Sequence, residues 1–171
     1  MLKRKHIRFL RLYDPVHKRF ERFCQVRCYG EMAPEDLMNE TLLIAYEKID
    51  ELQSKEAFLS FLCGISIRVL ANNNRKMRPE SAADFPKEVT AYTLTDAEAE
   101  KHFLYEALHM LQPDQQEAVI LFEITGFKIR EIAEIQNTTE DAVKQRLKRG
   151  RERLKEILTY ESHHQTGGRH A

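Results

Sequence analysis

Apolar residues along this chain of 171 residues recur at intervals of three and four, and no stretch alternates strictly between apolar and polar. That spacing collects them on one face of an α-helix, whereas a half-buried strand needs a period of two. Glycines, which would mark hairpins and bulges, number six, and Gly167 and Gly168 stand near the end of the chain. The expected fold class is therefore all-α, with the helix boundaries set by capping residues and prolines.

Asp14 followed by Pro15 suits a helix start, and Gly30 a helix end. Pro34 with Glu35 and Asp36 opens a second helix, because acids favour the positive N-terminus. It carries Leu37, Leu42, Ala45, Tyr46 and Ile49. Ser54 can cap a third, striped with Phe58, Phe61, Leu62, Ile65, Val69 and Leu70 and running to about Arg78. Residues 79–95 have two prolines, scattered acids and no helical stripe, so they read as an acidic linker between two small helical domains. Thr95 and Glu98 then match a capping box. Pro113 starts the next helix, closed by Gly126. The expected division is 1–78, linker 79–95, 96–160, and a disordered tail 161–171.

Charge is balanced, with 27 Lys plus Arg against 27 Asp plus Glu, yet it is unevenly placed. Met1–Arg11 holds five basic residues and no acid, and Arg68–Arg78 holds four and no acid. Lys144–Lys155 holds seven against the single acid Glu152. Such segments attract phosphate, although a lone basic run is also what a solvated helix face looks like. No window approaches 18 apolar residues and the N-terminus lacks an apolar signal segment, so neither membrane insertion nor secretion is expected. Three cysteines without zinc-finger spacing read as reduced, buried thiols in a cytoplasmic protein. His17, Cys24 and Cys28 lack a fourth metal ligand, so no metal or other cofactor is expected. No Ser-His-Asp set, catalytic carboxylate pair or phosphate-cradling loop appears, and the chain is not expected to be an enzyme.

The segment Phe127–Leu158 is the most specific. A short helix with Ile129, Ile132 and Ala133 meets Asn137, a residue that tolerates the left-handed turn conformation. Thr139 then caps a second helix with Glu140 and Asp141 in its first turn. Two helices joined by a tight turn make a helix-turn-helix. At about 100° per residue, Val143, Leu147, Gly150 and Leu154 form one packed seam. Asp141, Lys144, Gln145 and Lys148 fall on the far side, where a recognition helix meets base edges in the major groove. Arg146, Arg149, Arg151 and Arg153 are placed for phosphates. A solvated amphipathic helix would carry the same charge, but not the capped turn before it.

These residues resemble region 4 of the extracytoplasmic-function group of bacterial RNA polymerase sigma factors, over LQPDQQEAVILFEITGFKIREIAEIQNTTEDAVKQRLKRGRERL. Asn137 stands where that family usually has Gly, and Gly150 where it has Ala. The N-terminal half is similar to region 2. PEDLMNETLLIAYEKI resembles the segment that binds the polymerase clamp, and AFLSFLCGISIRVLANNNRKMR the segment that melts and reads the minus-ten element. Asn39 replaces the common Gln, Phe61 a Trp, and Arg68 an Asn.

The resemblance implies core RNA polymerase and promoter DNA as partners, and an anti-sigma protein as regulator. It implies polymerase contacts from Glu35, Asp36, Leu37, Asn39 and Glu40, although that polar face alone would equally be a solvated one. It implies minus-ten contacts from Arg68, Asn72, Asn73, Arg75 and Lys76. The run Asn72–Asn74 is costly inside a helix and fits either DNA contact or helix termination. Loop Glu51–Lys55 corresponds to where the family captures an unstacked base. The minus-35 surface would be Thr139, Asp141, Lys144, Gln145, Arg146, Lys148, Arg149 and Arg151. By the same resemblance the linker runs inside the polymerase, where its acids could mimic nucleic acid. Two other readings of the residues remain at this point: a helix-turn-helix regulator that acts without replacing sigma, and a helical adaptor that binds no DNA.

Overall fold

A computed structural model describes residues 1–77 and 95–166, with side chains to Tyr160. The linker, apart from Thr95, and the tail beyond residue 166 lie outside the described residues, as do the side chains of His163, His164 and His170. Every regular element among the described residues is helical, as the apolar spacing requires. The chain divides into two compact units, Met1–Lys87 and Glu88–Ala171, and the division falls inside the expected linker.

The first unit contains α1 (Leu2–Tyr13), α2 (His17–Arg27), α3 (Pro34–Glu47) and α4 (Phe58–Lys76). Its core is built from Phe20, Phe23, Val26, Leu37, Phe58, Leu62 and Leu70, all at most 1% exposed. Polar groups inside it are paired, as burial demands. Ser66 Oγ lies 3.1 Å from Thr41 Oγ1, joining α3 to α4, and donates to the Leu62 carbonyl at 3.0 Å. Cys24, Cys28 and Cys63 are free and buried. The Cys28 thiol donates to the Cys24 carbonyl at 2.8 Å. Burial, which disfavours the thiolate, pushes the Cys28 thiol up to about 11 and raises Cys24 and Cys63 as well. His17 bonds the Tyr13 hydroxyl at 2.8 Å, and the described residues hold no metal-ligand cluster.

Asp14 does not begin the first helix. A helix already runs through the basic segment, and Asp14 is the C-cap of α1, followed by a 3₁₀ turn over Asp14–Val16. Aromatic packing decides this. Phe9, 7% exposed, meets Tyr46 edge-on at 5.5 Å and Phe58 at 5.6 Å between ring centroids. Pro15 is tolerated there because the junction has little need of its missing N–H. Ser54 caps one turn early, its Oγ accepting the Ala57 N–H at 3.3 Å. Asn72–Asn74 stay helical, since α4 ends only at Lys76.

The second unit contains α5 (Asp96–His109), α6 (Pro113–Val119), α7 (Ile129–Ile135) and α8 (Glu140–Thr166). The Thr95 capping box forms, with Oγ1 accepting from the Glu98 amide at 3.3 Å and the Glu98 carboxylate accepting from Thr95 at 2.9 Å. After α6 the chain widens into a π-helical turn, Ile120–Ile124, closed by the Thr125 amide on the Ile120 carbonyl at 3.0 Å. Gly126, at φ +81°, then turns the chain as expected of a C′ glycine. Helix α8 extends beyond the expected end near Leu158, to Thr166.

Candidate nucleic-acid interface

The turn between α7 and α8 is made by one left-handed residue, Asn137 at φ +49°. The Thr138 amide reaches back to the Ala133 carbonyl at 2.9 Å, satisfying the open end of α7. Thr139 Oγ1 accepts the Ala142 amide at 3.1 Å and so caps α8. Val143 and Leu147 are buried, as is Gly150, while Leu154 is half-buried, which reproduces the seam. Gly150 is small for a reason the sequence does not display. A Cβ there would stand 2.9 Å from Val119 Cγ2, closer than packed carbons allow, so α8 lies almost against α6.

Asp141, Lys144, Gln145 and Lys148 all point to solvent on the opposite face. Lys144 Nζ is 3.7 Å from Asp141, an exposed pair that holds the lysine only weakly. Gln145, Lys148 and Arg149 have no partner among the described residues, so their donors are available.

Arg146 and Arg151 are different. Arg146 Nη1 donates to Gln136 Oε1 at 2.9 Å, and its Nε stands 3.2 Å from Asp114. Gln136 in turn donates to the Asp114 carbonyl at 3.1 Å and to Glu117 at 3.0 Å. This network fastens α6, α7 and α8 together, so Arg146 positions the reading helix rather than extending from it. Arg151 pairs with Glu123 at 2.6 Å and lies over the Phe122 ring at 5.1 Å. Both arginines were expected on phosphates. Their partners are 10 to 32 positions away in sequence (Gln136, Asp114, Glu123), where no local pattern reveals them.

In the first unit, Arg68, Asn72, Arg75 and Lys76 are exposed. At about 100° per residue, Arg68, Asn72 and Arg75 fall within about 60° on α4, with Lys76 beside them. Asn73 falls on the other side, in line with the buried stripe, and is half-buried. The structure thus groups four of the five expected minus-ten residues and separates Asn73. On α3, Glu35, Asp36, Asn39 and Glu40 are exposed. Leu37 is 0% exposed, so it holds α3 against the core and cannot present a contact to a partner.

Sequence reasoning missed a further basic surface. With α1 formed, Arg4, Arg8 and Arg11 share one helix face, above the loop Leu52–Lys55. The signal was their spacing of four and three, unused because the segment was read as a charge run.

Fold and geometry together define a two-unit helical protein whose second unit presents a helix-turn-helix to DNA. Residues 104–154 match the family described as Sigma-70, region 4. EcfG of Rhodopseudomonas palustris, an RNA polymerase sigma factor of the extracytoplasmic-function group, is 30% identical over 127 residues, covering 72% of this chain and 70% of that one. CarQ of Myxococcus xanthus, an RNA polymerase sigma factor, is 28% identical, covering 72% and 74%. The sigma factor RpoE of Bartonella quintana, solved with the anti-sigma factor NepR, superimposes with a TM-score of 0.68 at 27% identity, over 86% of this chain and 94% of that one. The chain belongs to the extracytoplasmic-function RNA polymerase sigma factors. It is a sigma factor directing transcription initiation, which sets aside the independent regulator and the adaptor. Among the described residues, no helix is long and apolar enough to cross a membrane.

Proposed function

We propose that the second unit acts as region 4 and reads minus-35 duplex through the exposed face of α8. Asp141, Lys144, Gln145 and Lys148 face the base edges. Lys144 and Gln145 carry the discrimination, because lysine donates to guanine acceptors and glutamine pairs with adenine. Thr139, at the capped start of the helix, and Arg149 bind phosphates. Arg146 and Arg151 hold the helix in place. The observation that carries this reading is the division of α8 into a buried seam and an opposite face of unpartnered donors.

The first unit acts as region 2. Arg68, Asn72, Arg75 and Lys76 hold the minus-ten strand, and Glu35, Asp36, Asn39 and Glu40 dock on core RNA polymerase. The linker joins the two promoter-reading ends, in the cytoplasm, and an anti-sigma protein regulates the chain, as NepR does its partner by title. The protein does no bond chemistry of its own. Run-off transcription with core polymerase tests this: promoter-specific transcripts should require the chain. Lys144→Ala or Gln145→Ala should shift minus-35 preference by about 1–3 kcal/mol at the contacted base. An unchanged preference for both would move the reading face elsewhere.

A further inference from the structure

The face of α1 that carries Arg4, Arg8 and Arg11 borders a groove of about 670 Å³, whose other wall is the loop Leu52–Lys55. Four cations line this groove and no carboxylate does, while Ile7, Leu12 and Leu52 supply an apolar floor. The arrangement is held in place from several directions. Phe9 anchors α1 between Tyr46 and Phe58. Lys5 donates to the Glu47 carbonyl at 3.3 Å, at the end of α3, and lies 5.2 Å from the Tyr46 ring centre. Arg8 reaches Asp50 at 3.5 Å, at the edge of the turn that leads into the loop. Arg4 and Arg11 have no partner among the described residues.

We propose that α1 is a strand-holding element: Arg4, Arg11 and Lys55 bind consecutive phosphates of single-stranded DNA, and the groove floor receives an unstacked base. The chemistry selects the occupant. Cations spaced one helical turn apart meet successive phosphates, and an apolar floor between them accepts the face of any base. A duplex offers no unstacked base to that floor. A groove of this size accommodates a nucleotide. The proposal rests on the region 2 reading and adds to it a helix whose residues lie about 60 positions before those of α4.

The test uses the full chain and a fluorescein-labelled 20-nucleotide oligothymidylate, titrated at several salt concentrations by anisotropy. Arg4→Ala with Arg11→Ala should lower the salt slope by about 1.4 and weaken binding roughly 25-fold at 0.1 M salt, at about 0.7 per phosphate contact on a single strand. Thermal unfolding of this variant should match the parent, because neither side chain is buried. An abasic strand of the same length should bind the parent less tightly than oligothymidylate. Equal binding would overturn the role of the floor. Loss of affinity in Arg75→Ala with Lys76→Ala, but none in the α1 variant, would overturn the proposal and leave region 2 standing. No loss in either variant, or no binding by the parent at 20 mM salt (about a 30 Å screening length), would overturn both. A poly-glutamate peptide that competes with the oligonucleotide on the parent but not on the α1 variant would make the groove a peptide site, and would also overturn the proposal.

Discussion

The two cationic surfaces are built in opposite ways. On α8 the reading face lies on one continuous helix, and its four residues fall within eight positions, Asp141 to Lys148. In the first unit the basic surface is assembled from α1, the loop before α4 and the end of α4. The supports differ too. Helix α8 is fixed by a near contact at Gly150 and by the partly exposed network of Asp114, Gln136 and Arg146. Helix α4 is fixed by deep burial, with Leu62, Ser66 and Leu70 fully enclosed. A surface made of one helix needs only its turn and its seam to be right. A composite surface needs a whole core to bring its parts together.

The largest expected effect probes that core. Leu37→Ala should cost about 2–5 kcal/mol in denaturant unfolding, the range for deleting a fully buried leucine. Asn39→Ala, two residues on and exposed, should stay within about 0.5 kcal/mol. Equal effects would mean that α3 is not held by its buried face, and the contrast between the two units would fail.

Next comes the arginine pair on α8. Arg146→Ala removes a charge-assisted hydrogen bond and a partly screened ion pair, and should destabilise the chain by about 1–3 kcal/mol. Arg149→Ala should leave stability within about 0.5 kcal/mol. It should weaken duplex binding for all sequences alike and lower the salt slope by about 0.9. The reverse pattern, measured by unfolding and by salt titration of binding, would exchange the positioning and phosphate-binding roles.

The smallest effect sharpens the chemical difference between the cores. The Cys28 thiol is pushed up to about 11 when folded, by burial first of all, against an ordinary value of 9.0. A folded value above the unfolded one stabilises fully below about pH 9, and that stability fades as pH rises toward 11. Between pH 7.5 and pH 10 the parent should lose roughly 1.4 kcal/mol more than Cys28→Ala, one unit of thiol ionisation in the unfolded chain. Parallel pH profiles for the two proteins would show that this thiol ionises as readily folded as unfolded.

Much of the second unit was legible in the sequence because its signals are local. The Thr95 and Glu98 box, the caps at Pro113 and Thr139, the left-handed Asn137 and the seam from Val143 all lie within a few residues of what they organise. The candidate DNA face of α8 follows from the same periodicity. The roles of Arg146 and Arg151 were not legible, because a charge reveals nothing of a partner on another helix. Nor was α1, since a basic run looks the same on a docked helix and on a solvated one.

The sequence by itself determined that the chain is helical, where its second unit turns, and which side of α8 is polar. These depend on apolar spacing and on capping groups that act over a turn or less. Only the tertiary structure decided which cations are available to DNA and which are spent inside the fold. It alone placed Leu37 in the core, moved Asn73 off the α4 face, and set α1 beside the loop at Leu52. Those outcomes depend on packing between residues far apart in the chain: an aromatic ring closing on two others, or a backbone approaching where a side chain is missing.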